Sequence, residues 1–409
     1  MLDKTKKLRY HIFVRRDKFM KIIAVNAGSS SLKFQLLTMP EEHEITSGLV
    51  ERIGYDNAVF SIKVNGEKIK KEQSILNHKV AVELVIKGLL ENKIIESLEE
   101  INGVGHRVVQ GGEIFKDSVV IDDQVIEDIK SLNDLAPLHN PANITGIKAF
   151  REILPNVIQV AVFDTTFHQS MKEDAYLYAS PYEWYEKYGV RKYGFHGTSH
   201  QYVSERAIEL LNQKESKIIV AHLGNGASLC AVKDGKSVDT SMGLTPLEGI
   251  PMGTRSGNID PSVLMLVSQK EDKTYGEVLN DLNKHSGYLG VSGISNDSRD
   301  IVDNMHKGHH RATLAHRIQI KRIADYIGSY YVYMGGLDAI CFTAGIGENA
   351  PEIRQDVIDA VKVLGIKLDQ EENQKRGERL ISTKDSKVKV FIIPTNEEVM
   401  IAREVMRLK

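Results

Sequence analysis

The sequence predicts an α/β protein built from two similar domains, and two pairs of repeated segments support this prediction. Lys21–Leu36 and Lys217–Cys230 each combine a β-branched apolar run, a turn of small residues and a second apolar run, a pattern typical of a β-hairpin. Val157–Asp164 and Val388–Glu397 both run from an apolar strand into polar residues. Because the two pairs occur in the same order, we interpret the chain as a duplication. Each half should then carry a mixed sheet flanked by helices, and the two glycine turns should face a shared cleft.

The composition fits this organisation. The chain has 409 residues, 42% of them hydrophobic, and a domain takes roughly 100–200 residues. Lys and Arg total 53 against 55 Asp and Glu, which argues against nucleic-acid or membrane-surface binding. No apolar run reaches the ~18 residues that span a bilayer. The cysteines Cys230 and Cys341 lie in separate apolar stretches, so we expect no disulfide framework and a cytoplasmic location.

The ends of the two predicted domains follow from the repeats. In residues 1–19 basic side chains outnumber acidic ones, and no apolar stretch marks a secretory signal. We expect an appended extension there; a targeting or partner-binding arm is the alternative. The predicted N-terminal domain covers 20–165 and the C-terminal domain 166–395, with a last helix over 396–409 that packs back on the N-terminal domain.

Apolar periodicity of about 3.6 residues predicts five further helices. Pro351 suits the first turn of one of them. The histidine-rich stretch from His306 to His316 is predicted to be a solvated helix start. The predicted helices cover residues 78–92, 140–150, 198–211, 312–333 and 351–364.

Three glycine-containing segments are candidate phosphate sites. Asn26–Lys33 follows the first strand, and its small residues would let backbone N–H groups approach an anion. His222–Gly226 is the matching turn of the second repeat; plain hairpin turns are the alternative for both. Gly345–Asn349 precedes a predicted helix but lacks the third glycine of the dinucleotide fingerprint. Two turns that face one cleft would grip a polyphosphate from both sides.

Charged residues and histidines near these turns are candidates for chemistry. Arg107 and Arg255 stand beside glycines and are suited to a bidentate grip on carboxylate or phosphate, although a surface ion pair is the alternative for each. His196 precedes the expected helix N-cap, Thr198 or Ser199, so a role at developing phosphoryl charge is favoured over a metal pair with His200. The carboxylates that follow the two equivalent strands, Asp164 in the first repeat and Glu397 and Glu398 in the second, are candidate Mg²⁺ ligands, general bases or N-caps.

Nine motifs, in this order, closely resemble those of the acetate kinase family, which belongs to the acetate and sugar kinase, heat-shock ATPase and actin superfamily. The resemblance extends from Met20 to about Val405. It implies two duplicated actin-like (ribonuclease H-like) domains that flank a nucleotide cleft, and the reaction ATP + acetate ⇌ ADP + acetyl phosphate with Mg²⁺ or Mn²⁺. It also implies a homodimer whose partners are small molecules. The motifs are Asn26–Lys33, His106–Glu113, Pro137–Pro141, Asp164–His168, Gly194–His200, His222–Gly226, Gly253–Gly257, Gly345–Asn349 and Asn396–Glu398.

The resemblance also implies roles for individual residues. Asn26 and Glu397 resemble the metal-site pair of the family. Arg107 and Arg255 resemble the arginines that clamp the substrate carboxylate and the transferring phosphoryl group. The catalytic aspartate and the transition-state histidine correspond to Asp164 and His196. The apolar acyl pocket corresponds to Val109, Leu138, Phe195 and Pro246. The nucleotide-binding residues correspond to Ser31, Lys33, His222, Leu223, Gly224, Asn225, Gly226, Asp297, Ser298, Arg299, Gly345, Ile346, Gly347, Glu348 and Asn349. Ser298 stands where a bulkier apolar residue is common in the family.

Elementary chemistry agrees with this interpretation. A carboxylate nucleophile needs no deprotonation near pH 7, so catalysis should depend on positioning and charge neutralisation. We therefore expect Asp164 to orient an arginine, a metal ion or water. A propionate or butyrate kinase is the alternative enzyme, against which Val109 favours acetate. An actin-like filament or chaperone ATPase is the alternative outside enzymes.

Overall fold

The computed structural model describes residues 19–409, and it contains two mixed sheets; residues 1–18, which hold nearly all of the predicted extension, lie outside the described part. Both predicted hairpins are present, as the first two strands of each sheet. The strands of the first sheet are β1 (Met20–Ala27), β2 (Ser31–Met39), β3 (His43–Glu51), β4 (Ala58–Val64), β5 (Glu67–Gln73), β6 (Ile101–Val108), β7 (Val119–Val120) and β8 (Ile158–Phe163). Those of the second sheet are β9 (Lys217–Leu223), β10 (Ala227–Lys233), β11 (Lys236–Thr240), β12 (Ala339–Thr343), β13 (Arg379–Leu380) and β14 (Lys389–Ile392).

The two sheets share one topology. The first has the order β5-β4-β3-β2-β1-β6-β8-β7 and the second β11-β10-β9-β12-β14-β13. In each, a central strand pairs antiparallel with the next strand of its hairpin and parallel with a later strand, which is followed by another parallel strand. The series β3-β2-β1-β6-β8 therefore matches β11-β10-β9-β12-β14. This match confirms the predicted fold class and the duplication.

Helices cover the sheets, and all five predicted ones are present with small shifts at their ends. Among residues 19–409, none is long and apolar enough to cross a bilayer. The helices are α1 (His78–Glu91), α2 (Asp123–Ser131), α3 (Asn140–Ile153), α4 (Glu173–Tyr176), α5 (Tyr182–Tyr188), α6 (Gly197–Leu211), α7 (Ser262–Glu271), α8 (Tyr275–Lys284), α9 (Gly287–Ser292), α10 (Ser298–His306), α11 (His310–Met334), α12 (Ala344–Asn349), α13 (Pro351–Ala360), α14 (Gln370–Gln374) and α15 (Glu397–Leu408).

Two segments differ in detail from the prediction. Gly345–Asn349 precedes the predicted helix that starts at Pro351, and its residues also form a short helix of their own, α12. The histidine-rich stretch is only partly solvated: His309 accepts a hydrogen bond from the N–H of Ala312 as the N-cap of α11, whereas His316 is buried and lies 2.6 Å from Asp356.

The last helix returns to the first sheet. On its apolar side, Ile401 and Val405 are buried in one cluster with residues of β1 and β8, and the helix also contacts β6. Gly103 and Gly105 allow this close approach, since a Cβ at Gly105 would lie 2.3 Å from a methyl of Ile401. The helix therefore begins, at Glu397, next to the carboxyl ends of the first sheet's parallel strands.

Candidate active site

Arg107 and Asp164 form a bidentate ion pair at the carboxyl ends of β6 and β8. The Arg107 Nε donates to Asp164 Oδ1 at 2.8 Å and Nη2 donates to Oδ2 at 2.6 Å. Asp164 is 1% exposed. Burial works against the guanidinium charge, but the carboxylates of Asp164, Glu397 and Glu398 together outweigh it, so the pKa of Arg107 is raised. The fork geometry fixes the orientation of Arg107.

Arg255 lies in the irregular segment between β11 and α7 and has no such partner. Its Nη1 donates to the carbonyl of Pro246 at 3.4 Å and lies 3.6 Å from the sulfur of Met252. Within residues 19–409 no carboxylate lies at salt-bridge distance from it. Burial lowers the pKa of Arg255. A half-buried cation without an internal counter-ion is suited to binding an anionic substrate.

His196 begins α6, and this position differs from the prediction. The N-cap is His196 itself, in the left-handed region at φ 56°, and not Thr198 or Ser199. The next N–H, that of Gly197, donates to the Asp164 carbonyl at 2.8 Å. A Cβ at Gly197 would lie 2.2 Å from that oxygen, so this contact requires glycine. The contact holds His196 next to the ion pair of Arg107 and Asp164.

His196 and Arg255 both approach Gly226. A Cβ placed on Gly226 would lie 3.4 Å from Arg255 Nη1 and 3.7 Å from His196 Nε2. Burial is the main cause that lowers the pKa of His196 well below its usual value, and the neighbouring His222 and His200 and both arginines lower it further. The structure thus brings Arg107, Arg255 and a neutral His196 to one place.

The half-buried His196 belongs to a cluster with three buried histidines, His168, His200 and His222. The His196 and His222 rings are stacked, with centroids 4.1 Å apart. Burial lowers the pKa of His168 and of His222 to about 4, and that of His200 well below its usual value. No group of three or more His, Cys, Asp or Glu side chains that could hold a metal ion exists within the described residues.

Carboxylates gather where β1, β2 and α15 meet. Asn26 pairs in register with Lys33, and Lys33 forms an ion pair with Glu398. Burial raises the pKa of Glu397; Asp164 and Glu398 raise it further, while Arg107 and Lys33 lower it. Amide and carboxylate oxygens with excess negative charge are a donor set that suits Mg²⁺, which usually binds through one or two carboxylates and substrate phosphates.

The turns predicted to bind nucleotide meet on the second sheet. The N–H of Gly253 donates to the carbonyl of Asn225 at 3.1 Å, and the side chain of Asn296 reaches the Asn225 Oδ1 at 3.4 Å. A Cβ at Gly224 would lie 3.8 Å from Ala344, so α12 adjoins the same turn. The His222–Gly226 turn, the 253–257 loop and α12 therefore line one region.

Several predicted nucleotide residues have protein partners. Glu348 turns inward and accepts from the N–H of Ala344 at 2.9 Å. Asp297 is the N-cap of α10 and pairs with the exposed Arg299. Ser298 is buried, and Ser31 is the first residue of β2. The remaining predicted members, Leu223, Ile346, Gly347, Gly345 and Asn349, lie in β9 or α12.

The predicted acyl pocket combines both halves. Val109 and Phe195 are buried together in the core cluster of the second sheet, although Val109 follows β6 of the first. Leu138 is 70% exposed. Pro246 is half-buried and contacts Arg255 through its carbonyl.

Sequence reasoning missed some residues that shape this site. Asn143 accepts from the Val109 N–H at 3.1 Å and donates to the Ala27 carbonyl at 2.8 Å, which joins the ends of β6 and β1. His139 lies in electrostatic range of Arg107 and Arg255, and burial lowers its pKa. Its place in the motif Pro137–Pro141 was the one available signal. Ser228, which contacts two of the histidines, gave none.

Comparison with known proteins now adds to this geometry. The profile of the Acetokinase family matches residues 21–403. An acetate kinase from Acholeplasma laidlawii is 67% identical over 391 residues, which is 95% of this chain and all of that protein. An acetate kinase from Porphyromonas gingivalis has a crystal structure with a TM-score of 0.91 at 45% identity, covering 95% of this chain and 99% of that one. A propionate kinase from Francisella tularensis gives the same TM-score at 46% identity, with coverages of 95% and 100%.

Both proteins of known structure share the two-sheet fold over nearly their full length, and the nine motifs lie within the matched residues. On sequence, fold and site together, this chain belongs to the acetokinase family.

Proposed function

We propose that this protein transfers a phosphoryl group between ATP and acetate with the help of Mg²⁺, and gives acetyl phosphate and ADP. The observation that carries the proposal is that Arg107, Arg255 and a neutral His196 come together in a duplicated fold whose two hairpins carry glycine-containing turns. Acetate kinases of 57–67% identity support the same reaction.

The proposed role of each residue follows from its charge and its partners. Arg255, which has no internal carboxylate partner, binds the incoming anion. Arg107, held by Asp164, neutralises the phosphoryl group during transfer. His196 donates a hydrogen bond from its neutral ring to a phosphoryl oxygen. The acetate carboxylate is the nucleophile and is ionised near pH 7, so Asp164 positions Arg107 and accepts no proton.

Asn26 and Glu397 would hold the metal ion. When bound, Mg²⁺ supplies positive charge to the phosphate oxygens. Replacing Glu397 with Ala should raise the Mg²⁺ concentration needed for half-maximal rate several-fold. Glu398→Ala is the matched control, because Glu398 is already paired with Lys33. An unchanged Mg²⁺ requirement in Glu397→Ala, with an altered one in Glu398→Ala, would transfer the ligand role to Glu398.

Acetate is proposed as the preferred acid, with propionate or butyrate as alternatives because a propionate kinase is equally similar in fold. Trapping the acyl phosphate as its hydroxamate, with the three acids in parallel, tests this proposal. The highest kcat/KM should be for acetate. A higher value for propionate would overturn the acyl preference, and no hydroxamate with any acid would overturn the reaction.

We also propose that the protein is a cytoplasmic homodimer of two-domain subunits, divided as 20–165 with 396–409, and 166–395. Both cysteines are buried and unpaired, which suits a reducing compartment. The adjoining α7 and α8 expose apolar side chains that a second copy would cover, among them Met265, Leu266 and Leu279. Sedimentation should give a dimer that Leu266→Glu dissociates, whereas ATP-dependent larger assemblies would indicate a filament.

A further inference from the structure

We propose that Ser228 and His200 hold His196 in the tautomer whose proton is on Nε2, the nitrogen that lies near Gly226. Ser228 and His200 are thus positioning residues that act through His196. The inference deepens the proposed function of His196 and rests on it for its catalytic consequence.

The hydroxyl of Ser228 lies between two imidazole rings. Ser228 is fully buried on β10, opposite His222 in the strand register. Its Oγ lies 2.9 Å from His196 Nδ1 and 2.8 Å from His200 Nε2. A serine hydroxyl has one proton to donate. Because neither imidazole carries a charge, each nitrogen is either a donor or an acceptor. The hydroxyl cannot donate to both rings, and it has no other hydrogen-bond partner among the described residues to which its proton could go. One of the two hydrogen bonds is therefore donated by Ser228, and the other is accepted by it.

The other ring nitrogen of His200, Nδ1, decides which of the two hydrogen bonds Ser228 donates. His200 Nδ1 is buried and has no hydrogen-bond partner among the described residues. A buried N–H without an acceptor is rarer in proteins than an unsatisfied acceptor. His200 therefore carries its proton on Nε2 and donates it to Ser228 Oγ. The Ser228 hydroxyl then donates to His196 Nδ1, which leaves the His196 proton on Nε2.

The position of the His196 proton matters because of the surroundings of Nε2. Both Nε2 and Arg255 Nη1 lie near Gly226, where the anionic substrate is proposed to bind. An N–H at this point donates to a phosphoryl oxygen, whereas the other tautomer would present a lone pair to negative charge. The stacked His222 ring, itself 2.8 Å from Ser199 Oγ, restricts rotation of His196. Among the described residues, the His196 ring has a hydrogen bond with Ser228 alone, so the chain His200–Ser228–His196 sets the position of its proton.

The first test is a double-mutant cycle. Ser228→Ala should lower kcat about tenfold, the equivalent of one hydrogen bond, and leave KM nearly unchanged. Ser228→Thr keeps the hydroxyl and should retain most of the rate. In a His196→Ala background, Ser228→Ala should cause no further loss. Ser204→Ala is the matched control, because Ser204 is an equally buried serine that bonds only the backbone of its own helix. An equal loss of kcat from Ser228→Ala in both backgrounds would show a merely structural role and overturn the proposal.

The second test does not depend on activity or on a variant that folds. Proton–nitrogen correlation spectra of the protein with ¹⁵N-labelled histidine should show His196 with a protonated Nε2 and an unprotonated Nδ1. A protonated His196 Nδ1 would overturn the inference. If the tautomer is as expected and His196→Ala keeps full activity, the proposed function of His196 fails while the tautomer assignment stands.

Discussion

The two sheets, which form the two walls of the proposed cleft, share one core topology but differ in how their charged side chains are paired. On the wall of the first sheet, Arg107 is paired with Asp164 and Lys33 with Glu398. On the wall of the second sheet, Arg255 lies near the neutral ring of His196 and has no carboxylate partner within residues 19–409. Duplication thus supplied one scaffold twice. We infer that one copy came to hold its charges in place and the other to leave one charge for the substrate.

The largest expected effect tests both walls at once. Arg107→Ala and Arg255→Ala should each lower kcat by roughly 10²–10³, since removal of one charge-stabilising donor costs ~3–4 kcal/mol of transition-state binding. Steady-state kinetics with acetate and ATP measures this loss. Near-normal turnover in both variants would contradict the assignment of the two arginines.

The second effect concerns the histidine wall and pH. Burial lowers the pKa of His168 and His222 from 6.5 to about 4, so the native protein stays neutral there while the unfolded chain takes up protons below pH ~6.5. The free energy of unfolding should therefore fall as the pH decreases from 6.5 towards 4, by up to about 3 kcal/mol for each histidine.

Urea unfolding at a series of pH values measures this dependence. His168→Gln removes one protonation site and should make the decrease shallower. Urea midpoints that stay constant between pH 7 and 4.5 would show that the buried histidines do not control acid stability.

The smallest effect lies where the walls meet. Val109 follows a first-sheet strand but packs in the second sheet's core. Val109→Ala should raise the propionate-to-acetate ratio of kcat/KM by at least a few-fold, because one extra methylene in an apolar pocket is worth ~1–3 kcal/mol. Leu138, Phe195 and Pro246 would still limit the pocket. An unchanged ratio would remove Val109 from the acyl pocket.

The sequence predicted the fold and the site residues only in part. Both hairpins and the five long helices follow from periodicity, because the apolar spacing is strong there. The strands β3 to β5 were not predicted. For β5 the reason is clear, since five of its seven residues are charged and the strand is exposed at the sheet edge. Motif order brought Arg107, Arg255 and His196 together through the family resemblance.

Side-chain partners could be predicted only in part. Chemistry predicted that Asp164 orients an arginine, a metal ion or water, and Asp164 does hold an arginine. That this arginine is Arg107 and not Arg255 depends on which strand ends become neighbours in space, and spacing along the chain does not encode this. The N-cap at His196 was missed because a left-handed histidine has no sequence signature. Ser228 was missed because a buried serine in a strand looks like any other.

The most direct test of the charge difference between the walls is denaturant unfolding of Arg107→Ala beside Arg255→Ala. Loss of Arg107 leaves the buried Asp164 carboxylate without its partner, so this variant should lose about 3 kcal/mol of unfolding free energy. Loss of Arg255 removes a half-buried charge that has no partner, so that variant should be as stable as the wild type or slightly more so. Equal destabilisation of the two variants, or a larger loss in Arg255→Ala, would contradict the account.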